Sequence, residues 1–259
     1  SEKQSVDKTK QLFRGQKYFL AQNKRIEQKK LSRQGEIMTQ AKNCGRGYNQ
    51  DMDFANLFSF WTALTESQKN ALSRASRTET YRAGSLIHRA DGNCKGVMAI
   101  LSGMLRVYCV SEEGREVTLY RVSAGEVCIL SASCLMDSIV FEVLIEAVGD
   151  TEVCLLPAQV LHRIEEENAA VGLYIYKTAA EKFSEVLWTI QRILFMKIDK
   201  RILLFLREEA AREHSNTVRI THEELAKDIG SVREVVTKTL RYLANEGTIL
   251  LSRGKISLL

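Results

Sequence analysis

No stretch of eighteen consecutive apolar residues occurs in this 259-residue chain, so no membrane-spanning helix and no membrane partner are expected. The first residues lack the apolar core of a secretory leader, which makes the cytoplasm the expected compartment. The six cysteines (Cys44, Cys94, Cys109, Cys128, Cys134 and Cys154) include no C-x-x-C pair, so zinc-ligand spacing is missing. In a reducing compartment most of them should be free thiols buried as small hydrophobes. His88, His162, His214 and His222 do not cluster, and no strand carries a paired-histidine metal spacing. No glycine-rich phosphate loop precedes a helix, and no G-x-S-x-G elbow is present. The expectation is a protein that is not an enzyme and needs neither metal nor cofactor.

What is present is a soluble-protein composition, 45% hydrophobic and 27% charged, in a chain long enough for two domains with real cores. The net charge of +5 is unevenly placed. Residues 1–50 hold twelve Lys/Arg against four Asp/Glu, leaving twenty-five against twenty-eight for the rest. Bulk charge therefore says little about nucleic acid, and the placement of individual charges must decide. Residues 1–51 are rich in Lys, Gln and Asn with no sustained periodicity, and read as a flexible basic tail that need not belong to the native protein. A segment with a short helix near Lys24–Leu31 and a basic arm touching phosphates are the alternatives.

From Phe54 the pattern is organised. Phe58, Trp61 and Leu64 lead to Thr65, a helix cap for Glu66–Ala75. Short runs then follow at Thr78–Tyr81, Ser85–His88, Gly96–Ser102, Gly103–Ser111, Val117–Val122, Glu126–Cys128, Phe141–Ala147 and Glu152–Pro157. Several alternate apolar and polar residues between glycine turns, the signature of an antiparallel sandwich or barrel. After a short helix at Gln159–Glu166, a long one is expected from about Asn168 to Phe195. Along it Tyr176, Ala180, Phe183, Leu187, Ile190 and Leu194 recur in steps of four and three. So narrow a seam predicts a parallel homodimer rather than a helix packed on its own domain. Lys200–Arg212 continues as an amphipathic helix.

The segment Ile220–Gly247, ITHEELAKDIGSVREVVTKTLRYLANEG, organises the C-terminal part. Thr221 with Glu224, and Ser231 with Glu234, read as two capping boxes. Gly230 should end the first helix and Gly247 the second. Val236, Leu240 and Leu243 face inward, which leaves Arg233, Glu234, Thr237, Lys238 and Arg241 on one outward stripe. Two helices about a tight glycine turn form a helix-turn-helix, whose second helix enters the DNA major groove N-terminus first. Ile249–Leu251 and Ile256–Leu259, about Arg253-Gly254-Lys255, complete a wing.

Gly230–Leu240, G-S-V-R-E-V-V-T-K-T-L, resembles the recognition helix of the CRP/FNR family of bacterial transcription regulators. The similarity covers roughly Phe54 to Leu259, about four fifths of the chain. It implies an α+β architecture: an antiparallel β-roll (double-stranded β-helix) sensing domain at 52–166, a dimerisation helix at 167–196, and a winged helix-turn-helix at 197–259. Gly84, Gly103 and Gly125 fall where the family's roll bends. The implied partners are double-stranded DNA, a second copy of the chain, RNA polymerase and a small-molecule effector. Arg233, Glu234 and Lys238 align with base-contacting positions, with Lys238 standing where the family has arginine. Thr237 and Arg241 are assigned to phosphates.

The resemblance also argues against two known sensing chemistries. Only Cys44 precedes the roll, so the N-terminal cysteine group of an iron–sulfur relative is missing. Where cyclic-AMP-binding relatives offer a carboxylate to the ribose this chain has Ser131, and Phe141-Glu142 replace the Arg-Ser pair that neutralises the cyclic phosphate. Val186-Leu187 replace the polar pair that reaches the adenine. The implied pocket is apolar, walled by Leu130, Phe141, Val186 and Leu187, with Ser131, Ser133 and Glu142 as polar anchors, unless these residues simply fill the roll. A redox sensor built on Cys128, Cys134 and Cys154 and a roll with a non-DNA output are the alternatives.

Overall fold

Among the described residues, eight short strands pair in nested order, and that nesting makes the roll. They are β1 (Arg77–Tyr81), β2 (Leu86–His88), β3 (Val97–Ser102), β4 (Met104–Val110), β5 (Glu116–Ser123), β6 (Val127–Cys128), β7 (Leu144–Ala147) and β8 (Thr151–Leu156). β4 pairs with β5, β3 with β6, β2 with β7 and β1 with β8, every pair antiparallel. The result is one long hairpin wound on itself. Winding adds the contacts β3–β8 and β4–β7, giving two four-stranded sheets in the orders β1-β8-β3-β6 and β2-β7-β4-β5. Met98, Ile100, Leu105, Ile129, Ile145 and Leu155 are fully buried in its core. Gly84, Gly103 and Gly125 all take positive φ at the bends. At Gly103 a side chain is doubly forbidden, because a Cβ would lie 2.5 Å from both the Asp150 carbonyl oxygen and Thr151 Oγ1.

The molecule is described from a computed structural model, over residues 54–88, 96–130 and 143–259. Leu57–Leu259 form one compact unit. A tail at 1–51, a helix near Lys24–Leu31, Cys44, Cys94, Cys134 and four of the pocket residues, Ser131, Ser133, Phe141 and Glu142, lie outside the described residues.

Helices flank the roll. α1 (Glu66–Ala75) starts with the expected cap, Thr65, in a capping box with Gln68. α2 (Ala158–Glu167) follows Pro157, and α3 (Ala169–Phe195) is capped by Asn168, whose side chain accepts from the Ala170 N–H. α3 has two apolar stripes. Val171 and Ile175 are buried, and further along Thr189 Oγ1 donates to the Leu119 carbonyl of β5 at 2.8 Å. The other stripe faces outward.

α4 (Ile198–Arg212), β9 (Thr217–Val218), α5 (His222–Ile229), α6 (Arg233–Asn245), β10 (Ile249–Ser252) and β11 (Lys255–Leu258) form the C-terminal part. Its core brings Ile202, Leu206, Leu225, Val236, Leu240 and Ile249 together. The wing has three strands, in the order β10-β11-β9, rather than the expected two. β9 was not legible because two residues carry no alternation; it exists through pairing Val218 with Ile256.

Candidate nucleic-acid interface

α5 begins as expected. Thr221 Oγ1 accepts from the Glu224 N–H at 3.1 Å, and Glu224 Oε2 accepts from the Thr221 N–H at 2.7 Å. Those hydrogen bonds from Thr221 hold the Glu224 carboxyl below its ordinary range. The helix ends at Gly230, which adopts the left-handed conformation with φ 64°. The second capping box does not form. Val232, not Ser231, caps α6, and its apolar side chain has no atom that could accept from the first N–H groups. Ser231 is committed to the preceding helix: its N–H donates to the Ala226 carbonyl at 2.9 Å, closing the end of α5. The first turn of α6 therefore carries N–H groups without a side-chain cap.

α6 divides cleanly. Val236, Leu240 and Leu243 are buried, while Arg233, Glu234, Lys238 and Arg241 are exposed. Thr237 is half-buried because its Oγ1 lies 2.9 Å from Nδ1 of His222. All five stripe residues, with Tyr242 and Asn245, line a single open concavity. The surface offers three cations, one carboxylate and a hydroxyl on the first turns of one helix. That is the chemistry for phosphate grip and major-groove base edges.

The helix-turn-helix, the candidate reading head, is held on the roll by polar contacts that sequence reasoning missed. Arg121 of β5 donates to Asp228 of α5 at 2.5 Å and to Glu209 of α4 at 3.2 Å. Thr118 Oγ1 donates to the other Asp228 oxygen at 2.9 Å. Lys227 reaches Glu116 at 3.0 Å, and Arg115 donates to the Gly230 carbonyl at 2.7 Å. Behind them Arg106, buried in the sheet, bridges Glu116 and Glu146 at 2.7 and 2.8 Å. Burial pushes the Glu116 carboxyl up, yet hydrogen bonds from Arg106 and Lys227 outweigh it and leave the group below its usual range. The turn itself is wedged in place: a Cβ on Gly230 would sit 2.7 Å from Ile193 Cδ1 of α3. The contacts that join the roll to α4 and α5 carry no local motif, since their partners are separated by roughly a hundred residues.

The seam residues Tyr176, Ala180, Phe183, Leu187, Ile190 and Leu194 all lie on the exposed stripe of α3. Seven of the fifteen large hydrophobics exposed among the described residues belong to this helix, Leu173 and Phe195 extending the run. Of the pocket residues, Leu130 is buried and Val186 half-buried, whereas Leu187 sits with the seam. Sequence reasoning also passed over Lys182, buried at the α3–roll contact, 3.1 Å from Glu185 and 5.0 Å above the Tyr120 ring. A buried lysine on a helix otherwise read for its apolar seam leaves no signal of its own.

Of the candidate redox cysteines, Cys128 and Cys154 lie among the described residues and do not make a pair. Cys128 is opposite Met98 and Cys154 opposite Ala99, on either side of β3. They are two strand spacings apart, roughly 9–10 Å, on opposite faces of the sheet. That exceeds the reach of a disulfide. Burial pushes the Cys154 thiol up to about 12, away from thiolate chemistry. Among the described residues no metal-holding group of His, Cys, Asp or Glu occurs, and no helix is long and apolar enough to cross a membrane.

A family model for the cyclic nucleotide-binding domain matches residues 78–168, and one for the Crp-like helix-turn-helix domain matches residues 200–259. The chain is similar to the crystal structure of a protein placed among CRP/FNR-family transcriptional regulators, from Eubacterium rectale. Identity is 44%, with a TM-score of 0.76 over 79% of this chain and 94% of that one. It is 29% identical over 196 residues to the transcriptional regulator SdrP of Thermus thermophilus, spanning 73% of this chain and 92% of that protein. Both relatives are regulators of transcription, not enzymes. A likeness in fold alone, at 18% identity and a TM-score of 0.63, joins 75% of the chain to 99% of the c-di-GMP-responsive regulator CLP of Xanthomonas campestris.

Proposed function

The chain belongs to the CRP/FNR family of DNA-binding transcriptional regulators, and from that premise we propose that it works as a homodimer on an inverted-repeat operator, gated by an effector other than cyclic AMP. The observation that carries the reading is the stripe Arg233, Glu234, Thr237, Lys238 and Arg241, gathered on one open face of α6 while its apolar face is consumed by the core. Arg233 is assigned a bidentate contact to guanine and Glu234 a contact to a cytosine amino group. Lys238, a point donor, discriminates less than an arginine would. Thr237 and Arg241 grip phosphates. Two such heads related by the α3 seam would read half-sites one helical turn apart, about 34–36 Å.

The case against cyclic AMP is chemical. At the positions assigned to the cyclic phosphate the chain offers a phenyl ring and a carboxylate, Phe141 and Glu142, and no guanidinium. An unpaired buried anion costs several kcal/mol. A small, mostly apolar or aromatic molecule suits the assigned walls better.

Selection of binding sites from a random duplex library tests the operator reading. The expected product is an inverted repeat with half-sites centred one turn apart; enrichment of nothing, or of a single unrepeated half-site, would overturn it. Calorimetric titration with cyclic AMP should give no binding in the micromolar range, and a micromolar constant would refute the assigned register.

A further inference from the structure

His222 is the first residue of α5, not of the recognition helix, yet its ring stands against α6. Nδ1 is 2.9 Å from Thr237 Oγ1, and Thr237 is the only stripe residue that is not exposed. We propose that His222 belongs to the DNA-contacting surface, holding Thr237 through a neutral ring in the free protein and becoming a phosphate ligand, by taking up a proton, in the complex. The proposal rests on the reading of α6 as the DNA-contacting helix and adds to it a residue and a charge change.

The geometry sets the two states. A first helix of a helix-turn-helix crosses the DNA backbone while the second enters the groove. A side chain at the start of the first helix that touches the middle of the second is therefore at the seam between phosphate contact and base readout. In the free protein His222 is half-buried, and the charges acting on it from α6 are Arg233 and Arg241. Its neighbour Glu223 is exposed, and Glu224 is engaged with Thr221 in the cap. Burial first, then the two guanidinium groups, hold the imidazole below its ordinary range, so it is neutral at physiological pH. A neutral ring can keep the Thr237 hydrogen bond in either tautomer. When phosphates arrive at the stripe they neutralise Arg233 and Arg241 and bring negative charge to the ring itself. Both changes favour the imidazolium. The complex thus binds more protons than the free protein, so affinity rises as pH falls. A shift of one unit amounts to up to about tenfold per protomer.

Phosphate contact is independent of sequence, so a short labelled duplex of arbitrary sequence at low salt is a sufficient probe. Fluorescence anisotropy with the full chain should show binding tightening between about pH 8 and about pH 6, the span of histidine titration. His222→Gln keeps a hydrogen-bonding partner for Thr237 but accepts no proton, and its affinity should vary much less over the same span. At the acid end its log–log salt slope should be shallower by about 0.9 per protomer, one phosphate contact fewer. A wild-type affinity flat in pH, or a pH slope retained in full by His222→Gln, would sink the proposal. Proton NMR of the wild-type His222 ring covers a variant that misfolds: its titration midpoint must rise when duplex is added, and an unchanged midpoint counts against the idea. Failure to bind any duplex at any pH would instead remove the DNA-binding reading beneath it.

Discussion

Single side chains decide what the reading head recognises and how acid affects its support. Glu234 is the only carboxylate on the stripe, and it is exposed. Glu234→Ala should relax specificity at one base pair by about 1–3 kcal/mol, read as lost preference in a binding-site selection while general affinity persists. An unchanged preference would show that base readout lies elsewhere. Glu116 makes the acid prediction. Its folded carboxyl is held below the usual range, so its stabilisation is complete above the ordinary carboxylate value and fades as pH falls through the depressed one. Urea denaturation at a series of acidic pH values should therefore give a shallower loss of stability in Glu116→Gln than in the wild type. Equal slopes would mean that Arg106 and Lys227 bind the carboxyl no better than water does. Legibility at this scale was uneven. The stripe followed from periodicity alone, because Val236, Leu240 and Leu243 commit one face of the helix to the core. Ser231 misled, since a cap signature does not reveal that the preceding helix has already taken the residue.

At the scale of elements, α3 carries two stripes on one helix. The inward one, Val171 and Ile175, is buried against the chain's own fold, while the outward one remains open to solvent. Large apolar residues collected in one exposed run mark an interaction surface. Replacing Leu187 and Ile190 together with Asp should give a folded monomer by sedimentation, with DNA affinity falling because the two heads no longer bind as one. A dimer that survives the double substitution would rule out the seam. The elements themselves were legible where a run had a period: α1, α3 and α6 lie within a residue or two of their sequence bounds. β9 was not, because its two residues are a strand only through a partner distant in sequence.

At the scale of the whole molecule, the roll and the reading head share charges. Glu146, Arg106, Glu116 and Lys227 form a line from β7 through β4 and β5 to α5, with Arg121, Thr118 and Asp228 beside it. The Asp228 side chain is only 3% exposed. Removing one partner of so buried a pair costs about 3–5 kcal/mol, here toward the lower end because Glu209 still contacts Arg121. Asp228→Ala should lower the denaturant midpoint accordingly and speed amide exchange in α5 more than in the roll. Exchange that rises equally everywhere would point to loss of global stability without a specific docking role. No sequence pattern announces this contact, since it depends on which strand the winding of the roll brings to the surface.

The nested pairing also prescribes an order of assembly. β4 and β5 are joined by only five residues, 111–115, whereas Tyr81 and Thr151, paired across β1 and β8, are seventy positions apart. Closing that outermost loop directly carries a large entropic penalty, but each inner pair, once formed, shortens the loop that the next must close. The roll should thus zip outward from the β4–β5 tip, with β1–β8 last. Substitutions such as Val107→Ala should slow folding, and Val153→Ala should chiefly speed unfolding, in stopped-flow measurements. The reverse ranking would exclude a tip-first route. If the route holds, β5, the strand that later receives Asp228, is among the first parts of the roll to form, and the surface awaiting the reading head is ready before the barrel around it has closed.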